Sequence, residues 1–337
     1  MGNIIEVSDL AKTYGDGTKA VKGISFNVNE GEFFGFLGPN GAGKSTTIKI
    51  LTTILRKTSG SASVAGLDID TEAPKIRKII GVQSQDTTVD EDLTGRENLI
   101  LQGQLQQMHG PALKEKVEEL LKVVDLVDAA DKRAGFYSGG MKKRLDLAST
   151  LVHDPKILFL DEPTTGLDPQ SRATVWAYLK RLNEQGITIF ITTQYLEEVD
   201  RLCRRLAIVD LGEIVTQGTP AELKQEIGAD AITLGFESST MNGGETRVKA
   251  KEVIEKKFDR VSNIVDSDVG LTVYAKNGSF LVPEIVRAFD DAHIRLSSIG
   301  VSSPTLDDVF LKHTGKRIRV EEVSSANYRG MFSRRRR

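Results

Sequence analysis

Apolar and polar positions alternate through IIEVSDL and again through KAVKGISFNV, with a turn around Gly15 and Gly17 between them. A period of two puts alternate side chains on one face, so both stretches are predicted as strands that open the chain antiparallel. EFFGFLG is an unbroken apolar run ending in glycine-rich sequence, and STTIKILTTIL after it reads as a helix. From about Leu93 to Leu151 the 3.6-residue period dominates, clearest in LTGRENLILQGQLQQM and PALKEKVEELLKVVDL. KILFLDEP and ITIFITT are short apolar strands of the kind buried in a mostly parallel sheet, with a helix between them. LAIVDLGEIVTQG then closes the unit as a hairpin.

From Gly228 the order becomes strand (AITLGFES), helix (TRVKAKEVIEKKF), two strands (NIVDSD and LTVYAK), helix (FLVPEIVRAF) and strand (IRLSSIGV), the βαββαβ order of a ferredoxin-like unit. TLDDVFLKHTG adds a last helix. The expected fold class is therefore α/β, with a mixed-sheet core, an antiparallel β-subdomain and a helical insert at about 88–152. The core unit is expected at 1–227, a small α+β ferredoxin-like domain at 228–314 and a disordered basic tail at 315–337.

The chain has 337 residues, 45 basic and 47 acidic, for a formal charge of -2. No whole-chain field points to nucleic acid as a partner, so none is expected. Cys203 is the single cysteine, which excludes a disulfide framework and a cysteine-built zinc site and fits a reducing, cytoplasmic location. Acidic residues stand in MGNIIEVSDLAKTYGDG where a signal peptide needs a basic patch and an apolar stretch. Glu6 stands where acylation of Gly2 favours Ser or Thr. No apolar run approaches the roughly 20 residues of a membrane-spanning helix, so any membrane attachment is expected to come through other proteins.

GPNGAGKST comprises Gly38, Pro39, Asn40, Gly41, Ala42, Gly43, Lys44, Ser45 and Thr46. It carries the full phosphate-loop pattern between a predicted strand and a predicted helix. Glycines let backbone N–H groups turn inward around phosphates, the helix start adds positive potential, Lys44 reaches the outer phosphates and Ser45 holds Mg²⁺. ATP with Mg²⁺ is the expected ligand. At the end of the ILFLD run, Asp161 is placed to hold the magnesium shell, and Glu162 to act as general base toward the attacking water.

YSGGMKKRLDLAST decides among nucleotide hydrolases. Ser138, Gly139 and Gly140 before a helix resemble the signature motif of ABC ATPases, and the resemblance extends from residue 1 to about 225. It implies a phosphate-loop NTPase fold of ABC type in which two chains, here a homodimer, sandwich two ATP molecules head to tail. It also implies that Tyr14 stacks on adenine and that Asp168, in TGLDP, lies in the loop that crosses the dimer. Gln85 matches the glutamine that meets metal and water, four residues after the glycine corresponding to Gly81, with Gln83 a nearby competitor. The metal set is then Ser45, Gln85 and Asp161, and Gln85, Glu162 and Gln194 are the catalytic set.

Two positions depart from the family pattern. Gln194, in TTQYLEE, replaces the usual histidine at the γ-phosphate, and an amide cannot become cationic. Met141 replaces the usual signature glutamine. Gln194 with LTGRENL and PTLDDVFLKHTG resembles the daunorubicin-resistance type, which drives efflux of drugs or lipids. That resemblance implies a permease on a separate chain, peripheral attachment to the cytoplasmic face of the membrane, and a role for 228–314 in assembly or regulation. The competing reading is a soluble ABC ATPase acting on DNA or ribosomes. It lacks the long heptad arms or the second cassette it would need. The terminal SRRRR fits either contact with anionic lipid, at about 1 kcal/mol per basic residue, or solvated disorder, and its charge alone identifies no partner.

Overall fold

The computed structural model of the chain describes residues 2–227, 230–236, 243–267, 270–275, 278–302 and 304–315. It divides between Gln217 and Gly218 into two units.

The first unit is built on a six-stranded sheet in the spatial order Glu213–Gly218, Arg205–Asp210, Phe33–Leu37, Thr188–Thr193, Ile157–Asp161, Ile80–Gln83. All neighbouring pairs from Arg205–Asp210 to Ile80–Gln83 are parallel. The turn Leu211–Gly212 folds the remaining strand back as the expected hairpin. Strands buried on both faces need continuous apolar sequence, and Phe33–Leu37, Ile157–Asp161 and Thr188–Thr193 are buried at every position. A second, antiparallel sheet holds Lys19–Asn29, Asn3–Thr13, Ser59–Val64 and Leu67–Asp68. The alternation of its first two strands appears as a half-buried pattern. Phe26 of this sheet packs among Phe34, Phe36 and Phe190 of the other at ring-centroid distances of 5.4–5.9 Å. Burying each such ring contributes about 1.5–3 kcal/mol.

Parallel pairing brings Leu37, Asp161 and Thr193 to one carboxyl edge, with Leu37 opposite Thr193 and Asp161 opposite Thr192. Gly38, Glu162 and Gln194 follow these strand ends immediately, and that edge is where open α/β sheets place ligands. The helix expected over STTIKILTTIL is shorter, Lys44–Leu51. Thr52 turns its hydroxyl back onto the Ile48 carbonyl at 2.8 Å, and Thr53 takes a left-handed φ of 62°. Both features end a helix.

Between Gln83 and Ile157 run three α-helices, Gly95–Leu105, Gly110–Val123 and Gly139–Ser149. A capping box of Thr94 and Glu97 starts the first. The Ser138 hydroxyl caps the third by accepting from the Met141 N–H at 3.2 Å.

The second unit holds a four-stranded antiparallel sheet ordered Val261–Ser267, Gly270–Ala275, Asp230–Phe236, Leu296–Ser302. Helices Gly243–Lys257 and Gly278–Asp291 share one apolar cluster with it, centred on Ile232, Ile254, Val273 and Ile285. The unit begins ten residues before the expected 228, because helix Pro220–Ile227 packs against Leu306–Thr314. Leu223 and Ile227 are buried there, and Lys312 Nζ donates to the Glu226 carbonyl at 3.0 Å. The basic tail lies outside the described residues from 316 onward.

Candidate nucleotide site

The loop after strand Phe33–Leu37 lies hard against its neighbours. A Cβ on Gly38 would stand 2.3 Å from the Val209 carbonyl oxygen, and one on Gly43, whose φ is +98°, 2.4 Å from that of Ala20. Only glycine fits at either position. Gly38 donates its N–H to the Thr193 carbonyl at 3.3 Å, which ties the loop to the strand that ends before Gln194. Helix Lys44–Leu51 starts with no side-chain cap and no acidic residue in its first turn. Its leading N–H groups and positive dipole end are thereby left for an anion. They open on a cavity of about 450 Å³ walled by Thr18–Ala20, Asn40, Gly41, Lys44, Ser45, Thr46, Gln85 and Glu162.

At its floor Lys44 Nζ stands 3.0 Å from Glu162 Oε1. Both side chains are buried, at 4 % and 6 % exposure. Lys44 also donates to the Gly38 carbonyl at 2.8 Å and the Pro39 carbonyl at 3.2 Å. Glu162 has a left-handed φ of 51°, a conformation that costs of order 1–3 kcal/mol and clusters at functional sites. It is held by its own N–H on the Thr192 carbonyl and by the Thr165 hydroxyl donating to Oε2 at 3.3 Å. Asp161 accepts from the Thr192 hydroxyl at 2.5 Å. Ser45 and Gln85 line the cavity and Asp161 is not among its lining residues; hydroxyl, amide and carboxylate oxygens are of the hard type that suits Mg²⁺ with phosphate oxygens and water.

Tyr14 is 38 % exposed, and its phenol lies 3.2 Å from the Thr46 hydroxyl, beside the loop. Gln194 is buried at 4 % exposure, and its Oε1 has no hydrogen-bond partner. Gln85 lines the cavity, and Gln83 does not. Gln83 ends its strand facing the insert, where its Nε2 donates to Asp146 Oδ2 at 3.1 Å.

Asp146 is one of the residues that sequence reasoning missed. On the helix behind Ser138, it also accepts from the Thr88 N–H at 3.0 Å and the Thr88 hydroxyl at 2.7 Å. Lys143, whose ammonium is pushed below its usual pKa by burial, donates to the Gln85 carbonyl at 2.7 Å. The segment carrying Gln85 is therefore fastened to the helix that starts at Ser138. Asp146→Ala would orphan the buried Gln83 amide and release the exposed Thr88, and is expected to lower stability by ~2 kcal/mol, measured as a fall in the urea midpoint.

Ser138, Gly139, Gly140 and Asp168 are not among the residues lining the cavity. They form a separate face. Asp168 caps helix Pro169–Glu184, with Oδ1 accepting from the Gln170 and Ser171 N–H groups at 3.0 Å each. Hydrogen bonds from Ser171 hold its carboxyl below the usual range. A Cβ on Gly140 would stand 2.7 Å from the Ser171 hydroxyl, so the two turns abut. The two capped helix starts thus sit together, apart from the residues that line the cavity.

An ABC transporter family model matches residues 21–165. The chain is 40 % identical to the daunorubicin resistance ATP-binding protein DrrA2 of Streptomyces coeruleorubidus, over 96 % of this chain and 99 % of that one. It is 36 % identical to the linearmycin resistance ATP-binding protein LnrL of Bacillus subtilis, over 94 % and 100 %. Among solved structures it is similar to a dimeric ATP-binding cassette in a post-hydrolysis state bound to ADP and Pi. There the TM-score is 0.59 and the identity 28 %, over 64 % of this chain and 98 % of the other. The first unit thus has the cassette fold. Since the match to DrrA2 runs through both units almost end to end, the chain belongs to the ATP-binding subunits of ABC transporters and is an ATPase.

Proposed function

We propose that the chain hydrolyses Mg-ATP between two of its copies to power a separate membrane permease that exports drugs, lipids or similar hydrophobic compounds. The observation that carries the hydrolytic reading is the meeting of Lys44 and Glu162 at 3.0 Å on the floor of the glycine-walled cavity. Relatives named for daunorubicin and linearmycin resistance support the efflux reading.

In this reading Lys44 leaves Glu162 for the outer phosphates, whose charge outcompetes one carboxylate. Glu162 is then free to accept a proton from, or orient, the attacking water. Tyr14 stacks on adenine. Ser45, Asp161 and Gln85 would hold Mg²⁺, which neutralises charge developing on the phosphate oxygens. Gln194 offers its amide N–H to the γ-phosphate as a neutral donor. Ser138, Gly139, Gly140 and Asp168 serve the nucleotide of the second copy, so closure of the pair depends on ATP.

The permease is expected at a groove of about 290 Å³ beside Thr88, lined among others by Ile54, Arg77, Val82, Gln102 and Gln106. Ile54 is 65 % exposed there, and Leu101 and Leu105 on the Gln102 helix are 41 % and 70 % exposed. Apolar side chains left bare beside a groove mark a partner surface. Because Thr88 is fastened to Asp146, a partner in this groove would bear on both Gln85 and the signature helix. No helix of the described residues is long and apolar enough to cross a membrane. Attachment to the cytoplasmic face therefore goes through the permease in this account.

Mg-ATP hydrolysis, alone and with co-purifying membranes, tests the reading. Turnover that rises with the membrane fraction supports it, and ribosome co-sedimentation without membrane stimulation contradicts it. Gln194→His restores a side chain able to make a charge-assisted contact worth about 1 kcal/mol more than a neutral one, so kcat is expected to rise about fivefold. Steady-state turnover of the variant checks this.

A further inference from the structure

Glu198 lies in the short helix Leu196–Leu202 just after Gln194 and is fully buried, at 0 % exposure. A carboxyl out of water is costly unless its hydrogen bonds are made. Oε1 makes two: it accepts from the Thr164 hydroxyl at 3.0 Å and from the Trp176 indole at 2.8 Å. Oε2 has no partner in hydrogen-bonding geometry. Thr193, Trp176 and Thr164 all favour the charged form, but burial outweighs them and raises the pKa of the group.

The two donors come from different parts of one segment. Thr164, itself fully buried, sits two residues beyond Glu162 in the turn that leads to Asp168. Trp176 lies in the helix that Asp168 caps. A second contact joins the same partners, as the Arg172 guanidinium stacks 4.3 Å from the Tyr195 ring centroid. Glu198 reaches neither the cavity nor the face of Ser138. What it does reach is the turn whose strained first residue, Glu162, has a left-handed backbone.

The geometry points to Glu198 as a positioning residue that holds the Glu162–Asp168 turn against the strand end bearing Gln194, fixing the base relative to the γ-phosphate contact. The inference rests on the ATPase reading of the site. A base displaced by a fraction of an ångström still leaves nucleotide binding intact but lowers the rate of the chemical step. The role therefore predicts a loss in kcat without a loss in KM.

Three variants separate this from a purely structural role. Thr164→Val is isosteric and removes only the tie to the turn. Trp176→Phe removes the tie to the helix, along with part of the ring that the Arg201 guanidinium covers. Glu198→Gln keeps an oxygen that accepts from both donors. Thr164→Val is expected to lower kcat about tenfold with KM for ATP within about twofold, and Trp176→Phe and Glu198→Gln to stay within about threefold of the parent in kcat. Equal losses in Thr164→Val and Trp176→Phe, or a Thr164→Val effect confined to KM or absent, overturn the positioning role while the ATPase reading stands. No turnover by the parent protein with its membrane partner overturns both.

Discussion

Glu162→Gln is expected to lower kcat for Mg-ATP by at least about a hundredfold while ATP still binds. The amide matches the carboxylate in size but cannot take a proton, and a positioned general base contributes about 10²–10⁴-fold. In the resting chain Glu162 also occupies Lys44, so its neutralisation removes a competitor for the phosphates. Lys44 keeps the Gly38 and Pro39 carbonyls as acceptors, which leaves the fold intact. ATP affinity should therefore hold or rise. Single-turnover hydrolysis alongside equilibrium ATP binding checks both halves. A kcat within about tenfold of the parent would mean that the proton goes elsewhere.

Lys44→Ala acts one step earlier. It removes the buried cation on the cavity floor, where a charge-assisted hydrogen bond is worth about 1.5–3 kcal/mol. ATP affinity should fall about 10- to 150-fold, with a smaller fall for adenosine, which has no phosphate to miss the amine. Titration calorimetry with the two ligands reads the difference. Equal losses for both would indicate collapse of the loop rather than loss of the contact. Together the variants separate the two ends of the ion pair: one keeps ATP and loses chemistry, the other loses ATP.

The phosphate loop, the Asp161–Glu162 strand end and the SGG turn were legible because each is local. Strand, glycines and helix occur within a dozen residues, and the physics that demands glycine at Gly38 and Gly43 acts on the backbone itself. The strands were legible for the same reason, since the period of apolar positions is a short-range signal. The residues missed are those whose meaning comes from a distant partner. Asp146 reads as one polar position in a helix until Gln83, 63 residues away, donates to it. Glu198 reads as half of an exposed EE pair until Trp176 and Thr164 bury it. Sequence spacing also does not tell what a glutamine faces. Gln83 and Gln85 share a parity that would put both on one face of a continuing strand, but the strand stops at Gln83, and only Gln85 turns to the cavity. The start of the second unit was misplaced by a related effect. The apolar pattern gives no element to residues 219–227, and the packing of helix Pro220–Ile227 on Leu306–Thr314 assigns it to the later unit.

The second unit follows the same logic at lower resolution. Its sheet and two helices bury one apolar cluster, so it has a core of its own. We propose that it serves assembly or regulation, which fits a match to DrrA2 that continues through it.

The central claim is that each nucleotide site is completed by the Ser138 and Asp168 face of a second copy. Sedimentation of Glu162→Gln with and without Mg-ATP, with bound nucleotide counted in the same sample, tests it most directly. The account predicts a nucleotide-dependent dimer that holds one ATP per chain and is lost when Ser138→Arg is added. A chain that saturates with ATP and stays monomeric, or a dimer indifferent to Ser138→Arg, would contradict it.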